Sequence, residues 1–163
     1  MTMTTNCTET ALTLVTFSIG PQVLAIPASL LREIIEPLPR TRVPGAGRCA
    51  PSVLNVRGAV VPLADLRIPL DIEDQGPPDR DPEARRFPVI EVEVGGERIL
   101  AAIIADAVHE VTALPAGGLL PLPATSRWPA EFLCGICQGK EGFVLLPDLA
   151  AIFTTMSQHP VAA

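Results

Sequence analysis

Apolar residues recur along this chain in short runs, each closed by a glycine, a proline or a charge. Leu12–Ile19 and residues 22–26 flank Gly20-Pro21, the pattern of two strands joined by a tight turn. Pro27 then opens residues 28–34, where Leu30, Leu31 and Ile34 would share one face of one or two helical turns. Pro37 and Pro39 stop or straighten any helix soon after Glu36. Two further apolar runs, 53–56 and 59–66, meet at Arg57-Gly58. From residue 88 to 94 the alternation is clean, with Ile90, Val92 and Val94 on one face and Glu91 and Glu93 on the other. Gly95-Gly96 supplies a two-residue hairpin turn, and residues 97–105 return as the partner strand. Residues 108–114, 133–137 and 143–149 read as more short strands.

One stretch breaks this rhythm. In residues 71–86, Asp, Glu and Arg interleave with Gly76, Pro77, Pro78 and Pro82, the composition of a solvated loop. The expected organisation is a single domain over residues 12–153, with a disordered polar tail before it (1–11) and a flexible one after it (154–163). Two pairs of segments echo one another: Leu31-Arg32-Glu33-Ile34 with Val108-His109-Glu110-Val111, and Val60-Val61-Pro62-Leu63-Ala64-Asp65-Leu66 with Val144-Leu145-Leu146-Pro147-Asp148-Leu149. Such similarity fits two related small barrels packed together.

Composition sharpens the picture. The chain of 163 residues is 48% hydrophobic but only 4% aromatic, so its core is built from Val, Leu, Ile and Ala. Eighteen prolines and 12 glycines limit element length, which disfavours long helices and favours many short strands. The uncharged run 10–31 is interrupted by Gly20-Pro21, Pro27 and several hydroxyl residues, unlike a bilayer-spanning helix. The polar N-terminus lacks the charged and apolar regions of a signal peptide, so a cytoplasmic protein without direct membrane insertion is expected. A net charge of −6 gives no basic footprint for nucleic acid.

Candidate chemistry is sparse. Neither a Ser/His/Asp order, nor paired catalytic carboxylates, nor a phosphate-binding glycine loop can be read, and Gly45-Ala46-Gly47 is too short and too flanked by proline to cradle phosphate. His109 and His159 stand alone, and Asp65 and Asp106 follow apolar strands, where they would satisfy loop amides. Cys134-Gly135-Ile136-Cys137 is the one constellation that could run thiol–disulfide exchange or supply half a zinc site. It lies in a strand rather than at a helix N-terminus, and Cys7 and Cys49 are too isolated to complete a metal set, so buried small residues are the expected role.

Arg57 is the residue that needs a reason, because a guanidinium between two apolar runs cannot shed its charge. Its surroundings, Ser52-Val53-Leu54-Asn55-Val56-Arg57-Gly58, followed by Val60-Val61-Pro62 and Asp65-Leu66-Arg67, resemble the central motif of the CheW family, adaptors that tie chemoreceptors to a histidine kinase. Ile26-Pro27, Leu31-Arg32-Glu33-Ile34 and Arg42-Val43-Pro44-Gly45-Ala46 precede it in the family's order. Ile104-Ala105-Asp106-Ala107-Val108-His109-Glu110-Val111, Gly135-Ile136 and Leu145-Leu146-Pro147-Asp148-Leu149 follow it. The Asn-x-Arg-Gly-x-x-x-Pro-x-x-Asp-Leu-Arg block is the specific part. Ser52 stands where Gly is usual, Ala105 where Val is common and Pro147 where Leu is usual; Pro147 lacks a backbone donor and should lie at a strand edge or end.

The resemblance implies a mostly β fold of two SH3-like five-stranded barrels, with a groove between them and a few short helical turns. It implies a non-catalytic scaffold without cofactor or metal, recruited to membrane receptor arrays. Its partners would be the regulatory domain of a CheA-type histidine kinase and, in the groove, the hairpin tip of a chemoreceptor. By position, Glu33, Asn55, Val56, Arg57 and Gly58 would bind a partner, with Arg57 anchored by Glu33, while Leu30, Leu31 and Ile34 would line the groove. Were that ion pair fully desolvated, losing Arg57 would cost on the order of 3 kcal/mol. Two alternatives stand beside this reading: an adaptor of a non-flagellar, surface-sensing or pilus pathway, and a small thiol or metal protein using Cys134 and Cys137.

Overall fold

The computed structural model describes residues 12–44, 52–72, 85–124, 129–140 and 142–158. Expectations for the polar N-terminus, Cys7, Cys49, Gly45-Ala46-Gly47, most of the 71–86 segment and His159 fall outside the described residues.

The Gly20-Pro21 turn forms as expected: β1 (Leu12–Ile19) and β2 (Gln22–Pro27) pair antiparallel, with Ile19 opposite Gln22. Gly20 has φ +57°, and its N–H donates to Asp106 Oδ2 at 2.6 Å, so the carboxylate pins the turn. The helical reading of residues 28–34 is corrected. Only a 3-10 turn, Ala28–Leu30, forms before the chain extends as β3 (Leu31–Ile35). Leu31, Glu33 and Ile35 alternate with the exposed Arg32 and Ile34, the period of a strand, so Leu30, Leu31 and Ile34 share no helical face.

After β3 come β4 (Arg40–Arg42), β5 (Ser52–Val56), β6 (Ala59–Ala64), β7 (Phe87–Val94) and β8 (Glu97–Ile103). The chain then continues as β9 (Ala107–Leu114), β10 (Leu133–Gln138), β11 (Phe143–Pro147) and a helix, α1 (Leu149–Gln158). The helix corrects two expectations, a strand running to residue 149 and a flexible tail from 154. Asp148 caps it: its backbone carbonyl accepts from Ile152 N–H at 3.0 Å and its side chain from Ala151 N–H at 3.1 Å. Pro147 does end its strand, opposite Leu133.

Two curled sheets result, in the order β10-β11-β2-β1-β9 and β3-β7-β8-β6-β5-β4. The second has six strands rather than five, because Arg40–Arg42 adds to the edge of β5. Without β4, the two orders correspond strand for strand when the second is read in reverse. β10-β11 matches the β5-β6 hairpin, β2-β1 matches β8-β7, and β9 matches β3, with the parallel pairs β11·β2 and β6·β8 in equivalent places. Both echoed sequence pairs fall on equivalent positions. The sheets are not, however, the two halves of the chain. β1 and β2 join the C-terminal strands, and β3 to β8 form the second sheet between them.

This exchange explains the apolar density of β1 and β7. Phe17 and Ile90 face a central core shared by both sheets and the helix residues Leu149, Ile152 and Phe153. Their neighbours Leu14 and Val89 belong instead to smaller cores within each sheet. Gly135 is where close approach demands glycine. A Cβ there would lie 2.5 Å from the Leu120 carbonyl oxygen and 2.9 Å from Leu119 Cδ1, because Leu120 bridges Ile136 along the outer edge of β10. Gly135→Ala is therefore expected to lower stability by about 1–3 kcal/mol, measured by urea unfolding.

Candidate partner-binding site

The five residues of the central motif divide by role once placed. β5 and β6 are joined by the two-residue turn Arg57-Gly58, with Val56 opposite Ala59. Both turn residues lie at positive φ, +51° for Arg57 and +85° for Gly58, as a type I′ hairpin turn requires. Asn55 Oδ1 accepts the Gly58 N–H at 2.8 Å and fixes the turn from its own strand. Val56, 9% exposed, belongs to the core of the second sheet. Arg57 alone projects. Its side chain is 78% exposed, and Nη1 donates to Oε2 of Glu33 on β3, which is 25% exposed. The expected anchoring of Arg57 by Glu33 is thus present in the geometry.

Two features of this site were not foreseen. Arg57 itself, not only Gly58, occupies the left-handed region, at a cost of about 1–2 kcal/mol for a side chain with a Cβ. The ion pair is also not desolvated, so its loss costs up to about 1 kcal/mol of stability rather than the roughly 3 kcal/mol of a buried pair. The turn therefore holds an exposed cation, its backbone set by the two-residue hairpin and its side chain by Glu33.

The end of the motif is structural. Arg67 forks onto Asp65, with Nε 2.9 Å from Oδ1 and Nη2 2.6 Å from Oδ2, and Leu66 is fully buried. Asp65 and Asp106 both accept backbone N–H groups, as the sequence suggested for loop carboxylates.

Beside Arg57 lies an open depression of about 490 Å³, lined by Arg32, Glu33, Val56, Arg57, Val89, Glu91, Arg98 and Leu100 among others. A second, larger cleft of about 700 Å³ runs between the sheets and α1. Its apolar wall includes Pro27, Leu30, Pro147 and Leu149, and Arg32, Glu91 and Arg98 border it as well as the depression. Of the three groove candidates, only Leu30 lines this cleft. Leu31 packs on the central core, and Ile34 is 42% exposed elsewhere on the edge strand.

The other sheet repeats the arrangement at Arg57. At the β10–β11 hairpin, Lys140 Nζ lies 3.4 Å from Oε2 of Glu110 on β9. These two residues stand at the places of Arg57 and Glu33 in the matched strand order. Val111 (66% exposed) and Phe143 (49%) stand in the matched strand order where Ile34 (42%) and Val60 (75%) stand in the other sheet. The signal for it was the Glu33/Glu110 echo, which was legible in the sequence but unassigned to a surface.

Of the motif's two cysteines, both on β10, Cys134 is half-buried and Cys137 buried. Cys137 lies near the end of β10, and burial pushes its thiol up from the ordinary range. Among the described residues no group of three His, Cys, Asp or Glu side chains is placed to hold a metal ion. Cys137 is expected to resist alkylation at neutral pH in the folded protein and to react once urea unfolds it, as a timed thiol-labelling assay would show.

Comparison with known proteins bears on what this surface serves. A family model described as CheW-like domain matches residues 13–156. The chain is 30% identical over 142 residues to a probable chemotaxis protein CheW of Rhizobium etli, covering 86% of each chain. It is 28% identical over 148 residues to protein FrzA of Myxococcus xanthus, covering 90% of this chain and 88% of that one. In three dimensions it matches the scaffolding protein TtCheW from Thermoanaerobacter tengcongensis with a TM-score of 0.75 and 22% identity, covering 89% of both chains.

Proposed function

This chain belongs to the CheW-like domain family, and from that premise we propose that it is a non-catalytic adaptor coupling chemoreceptors to a CheA-type histidine kinase. The observation that carries the proposal is the exposed Arg57, held by Glu33 on a strained type I′ turn. An exposed guanidinium fixed in place by a neighbouring carboxylate presents its remaining N–H donors to a partner. Relatives named as chemotaxis and scaffolding proteins support the reading. No helix among the described residues is long and apolar enough to cross a membrane. An adaptor of this kind would work in the cytoplasm and reach receptor arrays through its partners.

The physical logic of such a scaffold is rigidity with several faces. The shared central core joins both sheets and α1 into one body. On its surface lie the Arg57 face, its Lys140 counterpart and the cleft lined by Leu30 and Leu149. We assign the Arg57 face to the kinase regulatory domain and the cleft to the receptor hairpin. An apolar cleft suits a helical hairpin, which offers its own apolar stripe. Titrating the chain with the kinase regulatory domain from the same genome tests the assignment. Saturable one-to-one binding is expected, and absence of binding to every such domain in that genome would remove the proposal.

A further inference from the structure

We propose that the depression beside Arg57 docks an acidic segment of the kinase domain, with Arg98 and Arg32 reading its carboxylates. This rests on the adaptor reading above and adds the chemistry of the contact. Three guanidiniums, those of Arg32, Arg57 and Arg98, face two carboxylates, Glu33 and Glu91, around an apolar floor that includes Val56, Val89 and Leu100. The molecule as a whole carries a formal net charge of −6, so this rim reverses the sign of its surroundings. Glu91 is shared: it pairs with Arg32 and lies 3.7 Å from Arg98 Nη1. One carboxylate serving two guanidiniums leaves most of their N–H donors pointing to solvent. The exposure of the side chains agrees, at 51% for Arg32, 78% for Arg57 and 76% for Arg98, against 21% for Glu91.

The register of the sheet builds this arrangement. On β7 and β8, Glu91 stands opposite Leu100 and Glu93 opposite Arg98, on the face away from the central core. The shift between Leu31 and Glu33 against β7 brings Arg32 to the same carboxylate. The neighbouring cleft has the opposite balance: Glu91, Glu93 and Asp148 outnumber Arg32 and Arg98. The charge balance therefore favours an acidic segment in the depression, where Arg57 adds to Arg32 and Arg98, over one in the cleft, where Glu93 and Asp148 oppose them. Apolar side chains of the same segment cover Val56 and Leu100.

The test is a titration of the full chain with the kinase regulatory domain from the same genome at about 50 and about 500 mM NaCl, with Arg98→Glu and Arg98→Lys beside the parent chain. The parent should bind more weakly at high salt. At low salt Arg98→Glu should lose roughly 10-fold or more in affinity and show a flatter salt dependence, with Arg98→Lys in between. Circular dichroism should show both variants folded, since Arg98 is mostly exposed. Parent-like binding by Arg98→Glu would overturn the proposal and leave the adaptor reading standing. So would a loss confined to the receptor hairpin. A parent chain that binds no kinase domain would overturn both.

Discussion

Replacing Phe153 with alanine is expected to lower stability by about 3–5 kcal/mol, a large share of what holds a domain of this size together. The ring is 2% exposed and sits in the central core beside Leu149 and Ile152, one turn and one residue away on the same face of α1. Only five phenylalanines and one tryptophan are present in the chain, so few side chains could refill the volume. The loss should appear as a drop of roughly 6–20 °C in the thermal midpoint. It should also open the cleft, whose wall α1 forms through Leu149, Ala150, Ala151 and Thr154. A change in midpoint of less than about 2 °C would mean that α1 does not dock as described.

Reversing the charge of Arg57 is expected to have the largest effect on binding. Arg57→Glu places a carboxylate against Glu33 and faces the acidic partner segment with the wrong sign, so affinity for the kinase domain should fall by roughly 100-fold. Arg57→Asn separates binding from folding. Asparagine tolerates the left-handed turn, so this variant should keep its stability to within about 1 kcal/mol, the lost exposed pair offsetting the relieved strain. Its affinity should still drop by roughly 30-fold, equivalent to about 2 kcal/mol. Calorimetric titration together with urea unfolding reads both quantities. An Arg57→Asn protein that is stable and binds as the parent does would remove Arg57 from the interface.

Much of this fold was legible because local rules agree with the global answer. The β1–β2 and β7–β8 hairpins follow from alternation around Gly20-Pro21 and Gly95-Gly96, and both glycines of the second turn have positive φ. β3 was obscured because Leu30, Leu31 and Ile34 also fit a helical spacing, and only pairing with β7 decides between the two periods. β4, Arg40–Arg42, carries no apolar residue and exists through its partner β5 alone. For α1 a signal was present: Asp148 as a cap, followed by Leu149, Ile152 and Phe153 at helical spacing. It was masked by the apolar run preceding it. The exchange of strands between the sheets was beyond any local pattern, since it joins segments far apart in sequence. At the site, motif spacing located Arg57 and Glu33, whereas the positive φ of Arg57 and the ridge of Arg32, Glu91 and Arg98 emerge only in three dimensions.

The central claim is that one rigid body holds two partners at once. Sedimentation velocity on a mixture of this chain, the kinase regulatory domain and a receptor hairpin fragment from the same genome tests it most directly. The account predicts a ternary species that disappears when the chain is omitted and is depleted by Arg57→Glu. Two binary complexes that displace one another, with no ternary species at any ratio, would contradict it.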